Sequence, residues 1–199
     1  NLGTAYWERI AGDKAENIEL VIAAYQQALQ VHTQTDFPMD WATTQHNLGT
    51  AYWERIAGDK AENIESAIAA FQQALQVRTQ TDFPIEWAAT QNNLGVAYSD
   101  RIRGNKAQNM EAAIAAYEQA LLVLTQTDFP MEWAATQNNL GSAYSNRIRG
   151  NKAQNMEAAI AAYKQALLVR TQTDFPTDWA RTQYNLGVAY RERIRGDKA

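Results

Sequence analysis

Cysteine is absent from the 199 residues, which excludes disulfides, thiolate metal sites and cysteine nucleophiles. Histidine is almost as scarce: His32 and His46 are the only two, and neither recurs in an equivalent place. A catalytic or metal site normally needs converging side chains, so both read as surface residues, and no catalytic residue, metal or cofactor is expected. No apolar run reaches the roughly 20 residues a spanning helix needs, and no N-terminal signal pattern is present. Positive charge is not in excess either. Eighteen Lys and Arg against 22 Asp and Glu give a net charge of -4, which argues against a nucleic-acid footprint. The expectation is a protein without membrane or nucleic-acid partners, in a reducing compartment such as the cytoplasm. The chain opens on Asn1, in mid-pattern, and reads as a piece of a longer protein.

What the chain does have is repetition. Leu2, Leu48, Leu94, Leu140 and Leu186 are 46 residues apart, as are Trp41, Trp87, Trp133 and Trp179, and Pro38, Pro84, Pro130 and Pro176. These steps divide it into four full copies, 1–46, 47–92, 93–138 and 139–184, and a partial copy, 185–199. No linker or shift of composition interrupts them, so residues 1–199 are expected to form one array.

Each copy reads as two helices. Trp133, Leu140, Tyr144 and Ile148 share one face of a helix over about 131–148, with Pro130 in its first turn and Gly150 as its stop. A second helix over about 110–125 is expected to start at an N-cap, Asn109. Its buried face would be Ala113, Ile114, Tyr117, Ala120, Leu121 and Val123. The Thr-Gln-Thr-Asp before each Phe-Pro is a turn, with Asp36, Asp82, Asp128 and Asp174 as turn formers. Strand signals are missing, so the fold class is all-α. A single pair of helices cannot bury its apolar face alone, and neighbouring pairs are expected to stack into a solenoid.

The frame Leu94, Gly95, Tyr98, Ala113, Tyr117, Ala120 and Pro130 resembles the tetratricopeptide repeat, over the whole chain. The usual repeat of that family has about 34 residues, so this one is long, and Gln91 stands where the family has tryptophan. The resemblance implies stacked antiparallel helix pairs in a right-handed superhelix. The wording NLGxAYxxRIRGxKAxNxEAAIAAYxQAL also resembles arrays of cyanobacterial and other bacterial proteins that precede a caspase-like domain of the CHAT type. This chain lacks the His/Cys dyad of such a domain.

Compared copy with copy, the first helix changes at a few places. Thr43, His46, Thr50, Trp53 and Glu54 correspond to Ala89, Asn92, Val96, Ser99 and Asp100, to Ala135, Asn138, Ser142, Ser145 and Asn146, and to Arg181, Tyr184, Val188, Arg191 and Glu192. Steps of three and four put them on one stripe. The resemblance places this stripe on the concave groove where related arrays bind peptides. Simple drift is the rival explanation, yet Gln119, Thr125 and Lys106 also look exposed and do not vary. Beside the stripe runs an unvaried row, Asn47, Asn93, Asn139 and Asn185. In arrays resembling kinesin light chain such an Asn holds the peptide backbone, and an amide offers both donor and acceptor for that role. The same side chains could instead tie neighbouring helices together. Trp7 and Trp53 are candidate aromatic anchors, or packing surfaces for a preceding repeat.

Arg101, Arg103, Lys106, Arg147, Arg149, Lys152, Arg193 and Arg195 form a basic ladder. Glu111, Asp128 and Glu132 accompany it, which predicts a salt-bridged edge. The expected function is binding of a protein or peptide segment within a larger bacterial signalling or effector protein. The alternative is a self-assembly module that stacks head to tail through uncapped ends.

Overall fold

The computed structural model describes residues 13–196, with side chains as far as residue 193. The described residues contain eight α-helices and no strand. In chain order these are α1 (Lys14–Ala28), α2 (Pro38–Glu54), α3 (Lys60–Ala74), α4 (Pro84–Ser99), α5 (Lys106–Ala120), α6 (Pro130–Ser145), α7 (Lys152–Ala166) and α8 (Pro176–Gly196). They repeat as pairs at the 46-residue step of the sequence. The helices fall into two compact units, Asn1–Arg103 and Gly104–Ala199.

Two different devices start the helices. The even-numbered ones open on proline, whose missing N–H is an unsatisfied position at a helix start in any case. Before each of them a turn is tied by its own side chains. In the first, Thr33 donates its hydroxyl to Asp36 at 2.7 Å while the Asp36 N–H donates back at 3.1 Å. Thr79–Asp82, Thr125–Asp128 and Thr171–Asp174 repeat the arrangement. The unvaried Thr125, half-buried rather than exposed, therefore has a local structural task. The odd-numbered helices are capped by Asp13, Asp59, Asn105 and Asn151, whose side chains accept from the first-turn N–H groups.

The boundaries differ from the sequence expectation. Asn105 caps α5, and Asn109 is a buried residue one turn inside it. Its equivalents show what the position does. Asn63 donates its amide to the carbonyls of Ala57 (2.8 Å) and Arg55, and Asn155 to those of Arg149 (2.8 Å) and Arg147. These amides brace the interhelix turn from inside. Gly150 lies five residues beyond the end of α6, at φ 81°, in that turn rather than at the helix stop. Because α6 ends at Ser145, Ile148 is exposed. Similarly α5 ends at Ala120, and Leu124 is buried where Leu121 and Val123 were expected.

In the N-terminal unit, Leu48 and Ala51 of α2 pack on Ile18, Val21, Ile22 and Tyr25 of α1. Leu94 and Ala97 of α4 pack in the same way on Ile64, Ala67, Ile68 and Phe71 of α3. In the C-terminal unit Leu186 and Ala189 of α8 meet Ala159, Ile160 and Tyr163 of α7. Burying each large aliphatic side chain stabilises by about 1.5–3 kcal/mol. The glycines after Leu48 and Leu140 face another helix. A Cβ on Gly49 would stand 2.8 Å from the Phe71 ring, and one on Gly141 2.7 Å from the Tyr163 ring. The frame tyrosines complete the packing: Tyr52 and Tyr98 each accept from a glutamine on the neighbouring helix, and Tyr144 donates to Glu118. At the far end, Arg55–Glu19, Arg101–Glu65 and Arg147–Glu111 are two-pronged ion pairs of 2.6–2.8 Å. Arg193 pairs with Glu157 at 2.5 Å. The basic ladder is thus largely spent on carboxylates.

Candidate binding site

Thr50, Trp53, Asn93 and Val96 come together in the N-terminal unit. With Phe71 they line an open pocket of about 220 Å³. Two of these walls, Thr50 and Trp53, are held in place by their own bonds. The Thr50 hydroxyl donates to the His46 carbonyl at 3.2 Å. The Trp53 indole N–H donates to Asp100 at 2.9 Å, and Lys60 bonds the Trp53 carbonyl at 2.7 Å while its ammonium lies 5.9 Å from the ring centre. Trp53 and Asp100 are both variable positions, in neighbouring copies though not equivalent ones, and each accounts in part for the other. With these polar groups engaged, the pocket offers its interior as apolar surface.

Phe71 was not singled out from the sequence. The signal was there: the equivalent residues are Tyr25, Tyr117 and Tyr163, and only this copy has phenylalanine. In the C-terminal unit the Tyr163 hydroxyl reaches Ser142, the counterpart of Thr50, at 3.1 Å. A tyrosine at position 71 would direct the same hydroxyl towards Thr50. The missing oxygen leaves room there.

Two of the unvaried asparagines, Asn93 and Asn185, make contacts between helices. Asn93 Nδ2 lies 3.5 Å from His46 Nε2, and its Oδ1 accepts from Asn92 at 3.2 Å. Asn185 donates to Asn138 at 3.3 Å. Asn47 and Asn139 are half-buried, as are Asn92 and Ser142, while Asn138 is fully buried. The remaining candidates lie apart from the pocket, on α8. Tyr184 is 73% exposed. Arg181 is exposed and bonded to Asp178, and Arg191 lies 3.5 Å from Glu192. Trp7 lies outside the described residues.

His46 is not the surface residue expected. Its ring is half-buried, with Nδ1 3.0 Å from Thr90 Oγ1 and an edge-on contact to Phe71. Burial, and then the charge of Arg78, push its pKa down to about 4. Arg78 itself is only 5% exposed and donates to Thr90 at 3.0 Å and Thr43 at 3.1 Å. Its counterpart Arg170 is buried on Thr182, with Asp178 3.8 Å away. Among the described residues no group of three or more metal-ligating side chains converges, and no helix is long and apolar enough to cross a membrane.

Residues 87–123 and 133–173 match a family model. It is the tetratricopeptide repeat. The two matches each span an even-numbered helix and the odd-numbered one after it. Together with eight helices at a 46-residue step, they support a tetratricopeptide-repeat array with an all-α, solenoid-type fold. Repeats of this kind generally mediate protein–protein contacts and are typically non-catalytic. No curated protein matches the chain.

Proposed function

We propose that the chain is a protein-interaction module that takes a peptide or protein segment along the faces of its proline-started helices. The observation that carries this reading is the pocket at Thr50, Trp53, Phe71, Asn93 and Val96. Four of its five walls are positions picked out in the sequence by variation between copies or by the asparagine row. Rigid aromatic and apolar walls with their polar groups already bonded favour one apolar side chain as the anchor. In this reading Asn92 serves beside the pocket in the N-terminal unit, and Asn138, Asn139, Ser142, Arg181, Tyr184, Asn185 and Arg191 form the corresponding face of the C-terminal unit. The module serves as the recognition part of a larger bacterial signalling or effector protein in the cytoplasm, with no catalytic residues or cofactor of its own. Pairing of Arg55, Arg101, Arg147 and Arg193 with glutamates supports a protein rather than a nucleic-acid ligand.

Selection of random displayed peptides on the wild-type chain, with counter-selection on Val96→Trp, tests the reading. Recovered sequences are expected to share one apolar residue at a fixed place and to lose binding to the filled variant. Peptides without a common apolar residue, or equal capture by both chains, would overturn it. Light scattering over a concentration series separates the self-assembly alternative: the interaction module stays monomeric, and head-to-tail stacking gives growth.

A further inference from the structure

His46 joins three elements of the N-terminal unit, and its protons can be accounted for one by one. Thr90 has a single hydroxyl hydrogen, donated to the Glu86 carbonyl at 2.6 Å. The Thr90 oxygen also accepts from Arg78 at 3.0 Å. It therefore has only a lone pair left for His46 Nδ1, at 3.0 Å, and Nδ1 must carry the imidazole proton. That leaves the Nε2 lone pair towards the Asn93 amide N–H, at 3.5 Å. The other end of the Asn93 amide accepts from Asn92, which fixes its orientation.

A second proton can enter only at Nε2. It would set an N–H against the Asn93 N–H, donor against donor, and put a second cation beside the buried Arg78. Rotating the Asn93 amide would only move the clash to Asn92. The surrounding charges offer no relief. Arg78, from the turn between α3 and α4, is the one charged group among the described residues whose field bears on His46. Glu86 of α4 acts on Arg78, Glu19 of α1 is spent on Arg55, and α3 presents the apolar ring of Phe71. On α2 itself, Asp40 and Glu54 lie six and eight residues away along the helix.

We propose that His46 is an acid-sensitive clamp between α2 and α4, whose protonation loosens the pocket-bearing unit. Three of the five pocket walls touch it directly: Thr50 through the His46 carbonyl, Phe71 through its ring and Asn93 through its amide. The equivalent residues Asn92, Asn138 and Tyr184 carry no imidazole, so the device belongs to this unit. An effect of acid on a bound segment rests on the binding proposed above; the clamp itself does not.

The test needs no ligand. NMR of the histidine-labelled chain should show His46 as the Nδ1–H tautomer at pH 7, with resonances of Thr50, Phe71, Thr90 and Asn93 moving together as it titrates. Melting temperature should fall about 5 °C further between pH 6.5 and 4.5 in wild type than in His46→Asn. Asparagine is this chain's own residue at two equivalent positions, so the variant is expected to fold. An Nε2–H tautomer, or equal acid sensitivity of the two chains, would overturn the clamp. Should the clamp fail, the peptide selection at neutral pH still stands or falls alone.

Discussion

Two links at the same place in the repeat separate the two units. In the N-terminal unit position 46 is histidine and meets Asn93; in the C-terminal unit its counterpart Asn138 accepts from Asn185 at 3.3 Å. The second link has no proton to gain. Beneath them, Arg78 is buried on two hydroxyls, whereas Arg170 has a carboxylate within 4 Å. Phe71 leaves room at Thr50, and Tyr163 bonds Ser142. One backbone pattern thus carries a histidine link beside an open pocket in one unit, and an amide link beside a tyrosine–serine contact in the other. The lesson is that variation between copies reports two things at once: contacts between neighbouring helices and surface left for a partner.

The largest expected effect sharpens the comparison through tryptophan. Trp133 is 8% exposed, and its counterpart Trp179 in the same unit is only half-buried. Trp133→Ala should cost about 3–5 kcal/mol in a denaturant melt, and Trp179→Ala clearly less. Equal costs would detach burial from the repeat frame.

Acid comes next. The folded pKa of His46 is depressed to about 4 from 6.5, so the folded state binds fewer protons than the unfolded one in that window. Stability is then fully present above pH 6.5 and falls by about 3 kcal/mol as pH drops to 4. Glu65 and Glu111, held below their usual range by Arg101 and Arg147, lose stabilisation only below the ordinary carboxylate range. They do so in both units, so the difference between wild type and His46→Asn isolates the histidine.

Glycine offers a smaller, signed test. Gly49→Ala and Gly141→Ala each force a ring to move, with an expected loss of about 1–3 kcal/mol. A Cβ on Gly187 would meet no atom within 4 Å, so Gly187→Ala should gain about 0.5–1 kcal/mol from helix propensity. The smallest expected effect is at the buried cation. Arg78→Leu copies the buried Leu124 and should be neutral or stabilise by about 1 kcal/mol, measured in the same melts.

The repeat frame was legible in the sequence because it obeys local rules. Leu48, Gly49 and Tyr52 recur with helical spacing, and the repeated leucine is buried in each described copy. Helix ends were less legible, since Asn105 and Asn109 are both good caps and only the fold decides which amide turns inward. His46 and Phe71 were hidden for a different reason. Their roles come from residues 44 and 21 positions away, Thr90 and Thr50. No period within a helix reveals such contacts. The visible traces are that position 71 alone departs from tyrosine and that position 46 varies between copies.

The central claim is that the pocket at Phe71 anchors an apolar side chain of a bound segment. Calorimetric titration of one selected peptide into wild type, Phe71→Tyr and Tyr163→Phe tests it most directly. The hydroxyl placed in the pocket should weaken binding at least about tenfold, near 1.4 kcal/mol, while Tyr163→Phe should leave it unchanged. Full affinity for Phe71→Tyr, in a chain whose melting temperature is unaltered, would contradict the account.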